Sequence, residues 1–554
     1  MLVYGDSKRS ADPRALLRAL VRDAERAAGD GERRTSLLLD AGELAQGLID
    51  SELAATGVDE ASPLAAAANA LVLEVAEFVL AAGQRPLGSR AHALLALALP
   101  ERVTISLPEG FAFYAVYPEA WARAAEGFRG ARTRVLGIRS IGLTLGAMVA
   151  AAAGSEQFVS LRPTGHPFDR TVAIGPALAS LLLADNGEVT YLVVDEGPGL
   201  SGSSLASVAR WLGDHGVALE RVVFMPSHGG EPGVHASDEV RRIWASVRRR
   251  VAPPPRVLER FAGGEDLSGN AWREALYGEH PWPPANTQQE RHKHLLRVNG
   301  TQQLAKFVGL GRHGVEKLAF AQTLAAHGWT PQPLELTDGF LFSEWLDALP
   351  LDHPNARFDR AALLRRVGDY VVFRASNFSA SDRPGASVEL LLSMLCTNAE
   401  AALGPQARAS FSRWERSLAA LGVGLEPCKT DNRMHRWEWL VTPKGVLRKS
   451  DALDHHATHD LVGAQDPVWD LVGARHELGL RDSEFVALTD HVAQALGRRW
   501  TPSQIDFFSA AYLALQCGAA SMAAATASEA DAARLQREAQ RYARALTKIA
   551  PSAR

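Results

Sequence analysis

The chain has 554 residues, 47% hydrophobic and 22% charged, with a formal net charge of −4. At roughly 150 residues per domain it holds two to four domains, and this balance of apolar and charged residues excludes a disordered or fibrous chain. A slightly acidic chain also lacks the broad basic face that a nucleic-acid backbone requires, so nucleic acid is not an expected partner. Cys396, Cys428 and Cys517 lie in no pair with metal or redox spacing, which implies a reducing compartment, the cytoplasm. The first ten residues contain no signal-type apolar run. The most apolar stretch, 141–154, is too short to cross a bilayer, so no membrane is expected.

Residues 13–100 are rich in Ala, Leu, Arg and Glu at helical spacing, which predicts a helical N-terminal section over 1–100. From 103 onward, short β-rich runs at 103–107, 134–138, 157–161, 190–194 and 221–225 alternate with helical stretches. That alternation predicts an α/β domain over 101–250, built on a parallel sheet with crossover helices. Pro253, Pro254, Pro255, Pro281, Pro283 and Pro284 with Gly263 and Gly264 predict a linker over 251–290. Strand-like runs at 294–298 and 303–308, a helix at 315–327 and long Ala-rich helices then predict a helix-rich second module over 291–554.

Within 189–205, Val-Thr-Tyr-Leu-Val-Val runs into Asp195 and Glu196, then Gly197, Gly199, Ser201, Gly202, Ser203 and Ser204, and a helix over 204–215. Strand, small-residue turn and helix in that order suit a phosphate, because helix-start amides and serine hydroxyls converge on one anion. Two adjacent carboxylates at a strand end can hold ribose hydroxyls or Mg²⁺. This segment resembles the 5-phosphoribosyl-1-pyrophosphate (PRPP) signature of type I phosphoribosyltransferases, with its Ser-Gly step about one residue late. A second strand and turn at 135–146 resembles the pyrophosphate-side loop of that family, which implies that Arg139, Ser140 and Gly142 face pyrophosphate. The loop at 160–170 carries Arg162, His166 and Arg170, with Arg162 expected on the leaving group. The resemblance implies PRPP as co-substrate and Mg²⁺ as cofactor. It places Asp195, Glu196 and Arg162 in the catalytic centre and the two acids on the metal, with the 1–100 section as a candidate hood for an unidentified acceptor.

In the second module, Lys306 is a lone lysine in an apolar strand, followed by a helix carrying Glu316 one turn from its start. Gly339-Phe-Leu-Phe-Ser-Glu344 reads as a hinge, 430–440 contains Asp431 and Glu438, and 446–451 ends in Asp451. These segments resemble the aminoglycoside phosphotransferase and choline kinase group, which shares the protein-kinase fold. The resemblance implies a Lys306–Glu316 ion pair over ATP phosphates, adenine against the backbone near Glu344, Asp431 as catalytic aspartate, and Glu438 and Asp451 on metal. Asp466 and Asp470 resemble the structural segment that follows. Two features depart from the group: Arg436 stands five residues after Asp431 where an asparagine is usual, and no histidine precedes Asp431.

Gly309 to Gly314 fits GxGxxG but follows the lysine strand, so it reads as a turn. His455 and His459 stand at i and i+4, yet without the His-Glu-x-x-His pattern they do not read as a zinc site. Trp437, Trp439 and Trp469 read as core. The reading is therefore a phosphoribosyltransferase fused to a kinase-like ATP-binding module, acting on small molecules, with a homo-oligomer left open. Two alternatives stay open: a PRPP or nucleotide sensor without chemistry, and a small-molecule kinase whose first half only binds substrate.

Overall fold

A computed structural model describes residues 8–155, 157–184, 189–381, 384–458 and 461–549; His459 falls outside them. Asp12 caps helix α1 (Pro13–Ala27), whose first position is a proline, and Asp30 caps α2 (Gly31–Thr56). Gly57, at φ +77°, ends α2 in the left-handed conformation that glycine adopts without penalty. Helices α3 (Pro63–Leu80) and α4 (Ser89–Leu95) complete the front section.

Strand β1 (Lys8–Ala11) pairs antiparallel with β2 (Val103–Ser106), Lys8 opposite Ser106. The run 103–107, expected in the parallel sheet, therefore lies outside it. An apolar β pattern fixes an extended conformation but not the partner, and here Gly47 of α2 lets Val103 and Ile105 pack directly on that helix.

After α5 (Glu109–Phe113) and α6 (Pro118–Ala125), the chain alternates β3 (Thr133–Ile138), α7 (Ile141–Ala153) and β4 (Gln157–Leu161). A short hairpin, β5 (Thr164–His166) and β6 (Asp169–Thr171), precedes α8 (Pro176–Leu183), β7 (Thr190–Val194), α9 (Ser203–Asp214), β8 (Val222–Met225), α10 (Asp238–Ser246) and β9 (Arg248–Arg249). The five-stranded sheet runs β4-β3-β7-β8-β9 and is parallel throughout. Alternation along the strands divides its faces: Val135, Leu192 and Val194 join the core under α2, α3 and α7, while Leu136, Tyr191 and Val193 join Leu205 and Trp244 on the other side. Because the chain leaves β3 sideways to β4 and returns past it to β7, the strand order reverses between β3 and β7. In open α/β sheets a crevice for ligands opens at that point, outside the carboxyl ends of the strands.

Residues 251–290 are built into the second half. A 3₁₀ turn buries Phe261, and β10 (Glu265–Asp266) pairs with β11 (Lys293–Val298). Helix α11 (Trp272–Tyr277) is pinned by Arg273 to Asp531 at 2.8 Å and by the Tyr277 hydroxyl to Asp352 at 2.6 Å. Prolines and glycines stop regular elements here, while a few buried side chains still anchor the segment.

The second half continues with β12 (Thr301–Phe307), α12 (Arg312–Ala326), β13 (Pro333–Thr337) and β14 (Phe340–Glu344), in an antiparallel sheet ordered β10-β11-β12-β14-β13. Strand β15 (Leu349–Pro350) later pairs with β16 (Trp439–Val441), and β16 with β17 (Leu447–Lys449). The helices are α13 (Arg360–Asn377), α14 (Val388–Leu403), α15 (Pro405–Phe411), α16 (Leu418–Gly422), α17 (Val468–Glu477), α18 (Asp482–Leu496), α19 (Pro502–Ala524) and α20 (Glu529–Ile549). By length and composition α3 and α19 could cross a membrane, but 50% and 78% of their apolar windows are buried inside the fold.

The halves share core. Phe307, Leu310 and Phe340 pack with the helices of the first half, and the Leu310 N–H donates to Phe111 O at 2.9 Å.

Candidate nucleotide cleft and glycine turn

A cleft opens between the β10–β14 sheet and the β15–β17 sheet. Lys306, Glu344, Trp345, Glu438, Asp451 and Asp454 line it, and α11 with residues 289–291 closes one side. Lys306 projects from β12 one residue before its end, and its Nζ donates to Asp451 Oδ2 at 2.7 Å. Burial works to lower the Lys306 pKa, but Asp451 and Asp454 outweigh it and raise it. Burial likewise opposes ionisation of Asp451, yet Lys306 and His455 hold its carboxyl well below the usual range. Asp451 is therefore an anion at neutral pH.

The carboxylates are only partly answered by protein donors. Asp451 Oδ1, Glu438 Oε2 and Asp454 Oδ2 are buried without a hydrogen-bond partner, while Asp454 Oδ1 lies 2.7 Å from Lys317 Nζ. Among the described residues, no three of His, Cys, Asp and Glu gather in metal-ligating geometry. This donor set fits a hard cation such as Mg²⁺, which takes one or two carboxylates and completes its shell with water and phosphate oxygens.

Several expected roles are corrected here. Glu316 does not reach Lys306: it is 61% exposed and lies 3.9 Å from Arg312 on its own helix. The inward residue is its neighbour Lys317, in step with His313, Phe320 and Leu324 along one face of α12. Helical spacing from those apolar positions would have selected 317 over 316.

Asp431 does not line the cleft. It is fully buried, accepting from the Tyr370 hydroxyl at 2.5 Å, with Lys449 Nζ and His455 Nδ1 each 3.3 Å away. Burial raises its pKa, but Lys449, His455 and Arg374 together bring it below the ordinary carboxylate range. Asp470 receives the main-chain N–H groups of Asp431 and Asn432 at 2.7 and 2.8 Å and so fixes this loop from below. Burial and the nearby Asp431 raise the Asp470 pKa.

Main-chain donors at Glu344 are not open to an adenine. The Glu344 N–H donates to Gln332 O at 3.0 Å and the Trp345 N–H to Gln302 O at 3.2 Å. Trp437, expected in the core, lines the cleft, whereas Trp439 and Trp469 are fully buried.

The glycine turn sits at the carboxyl end of β7, beside the point where strand order reverses. Asp195 accepts the Glu196 N–H at 2.8 Å, and burial pushes its pKa up to about 7. Glu196 turns back against the first half, where a Cβ added at Gly110 would come within 2.6 Å of its Oε2.

The hydroxyls of Ser201 and Ser203, expected on a phosphate, both donate to Pro167 O at 3.1 Å under the β5–β6 hairpin. A Cβ at Gly202 would meet Pro232 and Val240 at 3.1 Å, and one at Gly197 would meet His228 at 3.2 Å. Only at Gly199 is there open space. Ser204 stands half-buried in the first turn of α9.

The pyrophosphate-side roles are corrected too. Arg139 is buried, bound to Asp50 at 2.8 Å and to Asp59, and Arg162 binds Asp50 at 2.5 Å and the Arg139 carbonyl at 2.7 Å. Gly142 packs against the Val194 carbonyl, so its missing side chain serves helix–strand packing. Ser140 is the residue just before α7. The acids that hold the two arginines lie in and after α2, about 80 to 110 residues away in sequence, where no local motif pointed to them.

No protein-family model matches the sequence, and no curated protein matches it. Solved structures with some likeness include choline kinase LicA from Streptococcus pneumoniae, at 16% identity over 46% of this chain and 89% of that one, with a TM-score of 0.31. The macrolide 2′-phosphotransferase MphH from Brachybacterium faecium matches at 15% identity over 45% and 88%, TM-score 0.32. An ethanolamine kinase from Plasmodium vivax matches at 10% identity over 47% and 78%, TM-score 0.32. Likenesses of this strength assign the chain to no family.

Proposed function

We propose that the second half is a small-molecule phosphotransferase that takes its phosphoryl group from a nucleoside triphosphate held in the cleft. The observation that carries this reading is Lys306 Nζ facing Asp451 at 2.7 Å, from opposite walls of a cleft where further carboxylate oxygens lack partners. A lysine ammonium neutralises phosphate oxygens, and Asp451 with Glu438 would hold Mg²⁺ beside them. Mg²⁺, when bound, neutralises charge on the transferred group, in a reaction where catalysis is mostly positioning and electrostatics. His455 links the cleft to the buried network, with Nε2 3.7 Å from Asp451 and Nδ1 3.0 Å from Asp431 O. Asp431 positions that network in this reading.

The test is nucleotide binding by calorimetry, followed by ATP turnover with a panel of hydroxylated acceptors. Asp451→Asn should abolish turnover and Asp195→Asn should leave it unchanged. A protein that binds no nucleotide in the presence of Mg²⁺ ends the proposal.

A second reading applies to the first half: a sugar-phosphate site that uses PRPP. Its support is Asp195, with its raised pKa, at the carboxyl end of β7, across the strand-order reversal from Ser140 at the end of β3. Calorimetry with PRPP and Mg²⁺ tests it, and binding that survives Asp195→Asn with Glu196→Gln would end it.

A further inference from the structure

A second cavity, of about 540 Å³, lies at the junction of the two halves and belongs to neither the cleft nor the glycine turn. That volume falls in the range of metabolite-sized sites, roughly 300–1,000 Å³. Its wall draws cations from three separate segments: Lys8 and Arg9 on β1, Arg312 and Lys317 on α12, and Lys429 just before Asp431. Among the described residues, Glu43 and Glu316 are the carboxylates on the same wall. Arg9 binds Glu43 at 2.8 Å, Arg312 binds Glu43 and lies 3.1 Å from Asp40, so the arginines are braced in place. Phe113 and Phe320 add apolar surface on which the carbon skeleton of a ligand can rest.

We propose that this junction cavity binds a small phosphorylated metabolite, and that its occupant acts on the nucleotide cleft through Lys317. A phosphate ester carries about −1.5 to −2 charges near neutral pH together with several acceptor oxygens, which suits a wall that draws cations from three segments of the chain. Lys317 is the shared element: it lines the cavity, its Nζ donates to Ala112 O of the first half at 2.8 Å, and it stands 2.7 Å from Asp454 of the cleft. An anion that draws the ammonium toward the cavity loosens its hold on Asp454, so the two ligands must change each other's affinity by the same factor. The coupling rests on reading the cleft as the nucleotide site; the binding does not.

The test is calorimetry on the full chain, with ribose 5-phosphate, inorganic phosphate and ribose as separate probes and no nucleotide present. Ribose 5-phosphate should bind one to one and at least tenfold more tightly than inorganic phosphate, and ribose should not bind. Lys8→Glu with Lys429→Glu should weaken binding at least tenfold, while Lys306→Ala should leave it within twofold. In the unaltered protein, hydrogen exchange should slow at 105–113 and 312–320 when ribose 5-phosphate is added, a readout that needs no variant to fold. Saturating ribose 5-phosphate should then shift the affinity for an ATP analogue at least threefold. The binding proposal is overturned by absence of binding at millimolar ribose 5-phosphate, by unchanged affinity in the charge-reversed variant, or by loss of binding with Lys306→Ala. An unchanged affinity for the ATP analogue overturns the coupling alone. Failure of the phosphotransferase reading would appear separately, as absent nucleotide binding with ribose 5-phosphate binding intact.

Discussion

The cleft and the glycine turn both begin as a β-strand that delivers charge to its end, and they finish in opposite states. In the cleft, Lys306 and Asp451 meet across an opening, and one oxygen each of Asp451, Glu438 and Asp454 has no hydrogen-bond partner. At the turn, Ser201, Ser203, Arg139 and Arg162 are all bonded to other protein groups, and glycine faces that could admit a ligand are filled by Pro232, Val240 and His228. A motif supplies residue types in order. A site also needs those groups to be left wanting a partner, because a buried polar group that is already satisfied has little to gain from a ligand.

Substitutions in the two regions should therefore separate cleanly. Lys306→Ala should reduce ATP turnover at least about 100-fold, the effect of removing one preorganised donor from a developing anion, with the thermal transition little changed. Turnover within a few-fold of the unaltered protein would erase the distinction drawn for the cleft.

Arg139→Ala should act on the fold instead. It leaves Asp59 without its buried ion-pair partner and Asp50 with Arg162 alone, a change that costs about 3–5 kcal/mol in comparable ion pairs, read as a lower urea midpoint. If Arg139 faces pyrophosphate after all, the variant will keep its stability and lose PRPP affinity.

Asp195 provides a pH test. Burial raises its folded-state pKa to about 7 from the ordinary 3.8, so the folded protein holds that proton more tightly than the unfolded chain. The stability this contributes is complete below about pH 3.8 and is lost as pH rises through 7. Asp195→Asn should therefore raise the melting temperature at pH 8, with a smaller gain at pH 5. An equal gain at both values would mean that the carboxyl is not desolvated.

The smallest effect is expected at Glu316. On the exposed face of α12, Glu316→Gln should change stability by no more than about 0.5 kcal/mol and leave turnover unchanged. Lys317→Gln, one residue on, should alter nucleotide affinity, and the contrast tests which face of the helix meets the cleft.

Much of the local structure was legible in the chain. The runs at 134–138, 157–161, 190–194 and 221–225 are strands β3, β4, β7 and β8, and the helix expected over 204–215 runs Ser203–Asp214. Lys306, Glu438 and Asp451 line one cleft although they are spread over some 145 residues. Less visible was the packing of 251–290 around α11, because its proline and glycine density marks only where regular elements stop. Equally hidden were the partners of Arg139 and Arg162, since Asp50 and Asp59 come from a helical section that carries no motif.

By itself the sequence determined the alternation of strand and helix, the chemical identity of each candidate group and its place at the end of an element. Those follow from apolar periodicity and backbone preference, which act over a few residues. Tertiary structure alone decided which of those groups stay available: Asp431 and Arg139 are enclosed by distant counter-charges, while Asp451 and Asp454 are left facing a cleft. The physical reason is that desolvation and ion pairing depend on everything that surrounds a charge, and residues far apart in the chain supply those surroundings.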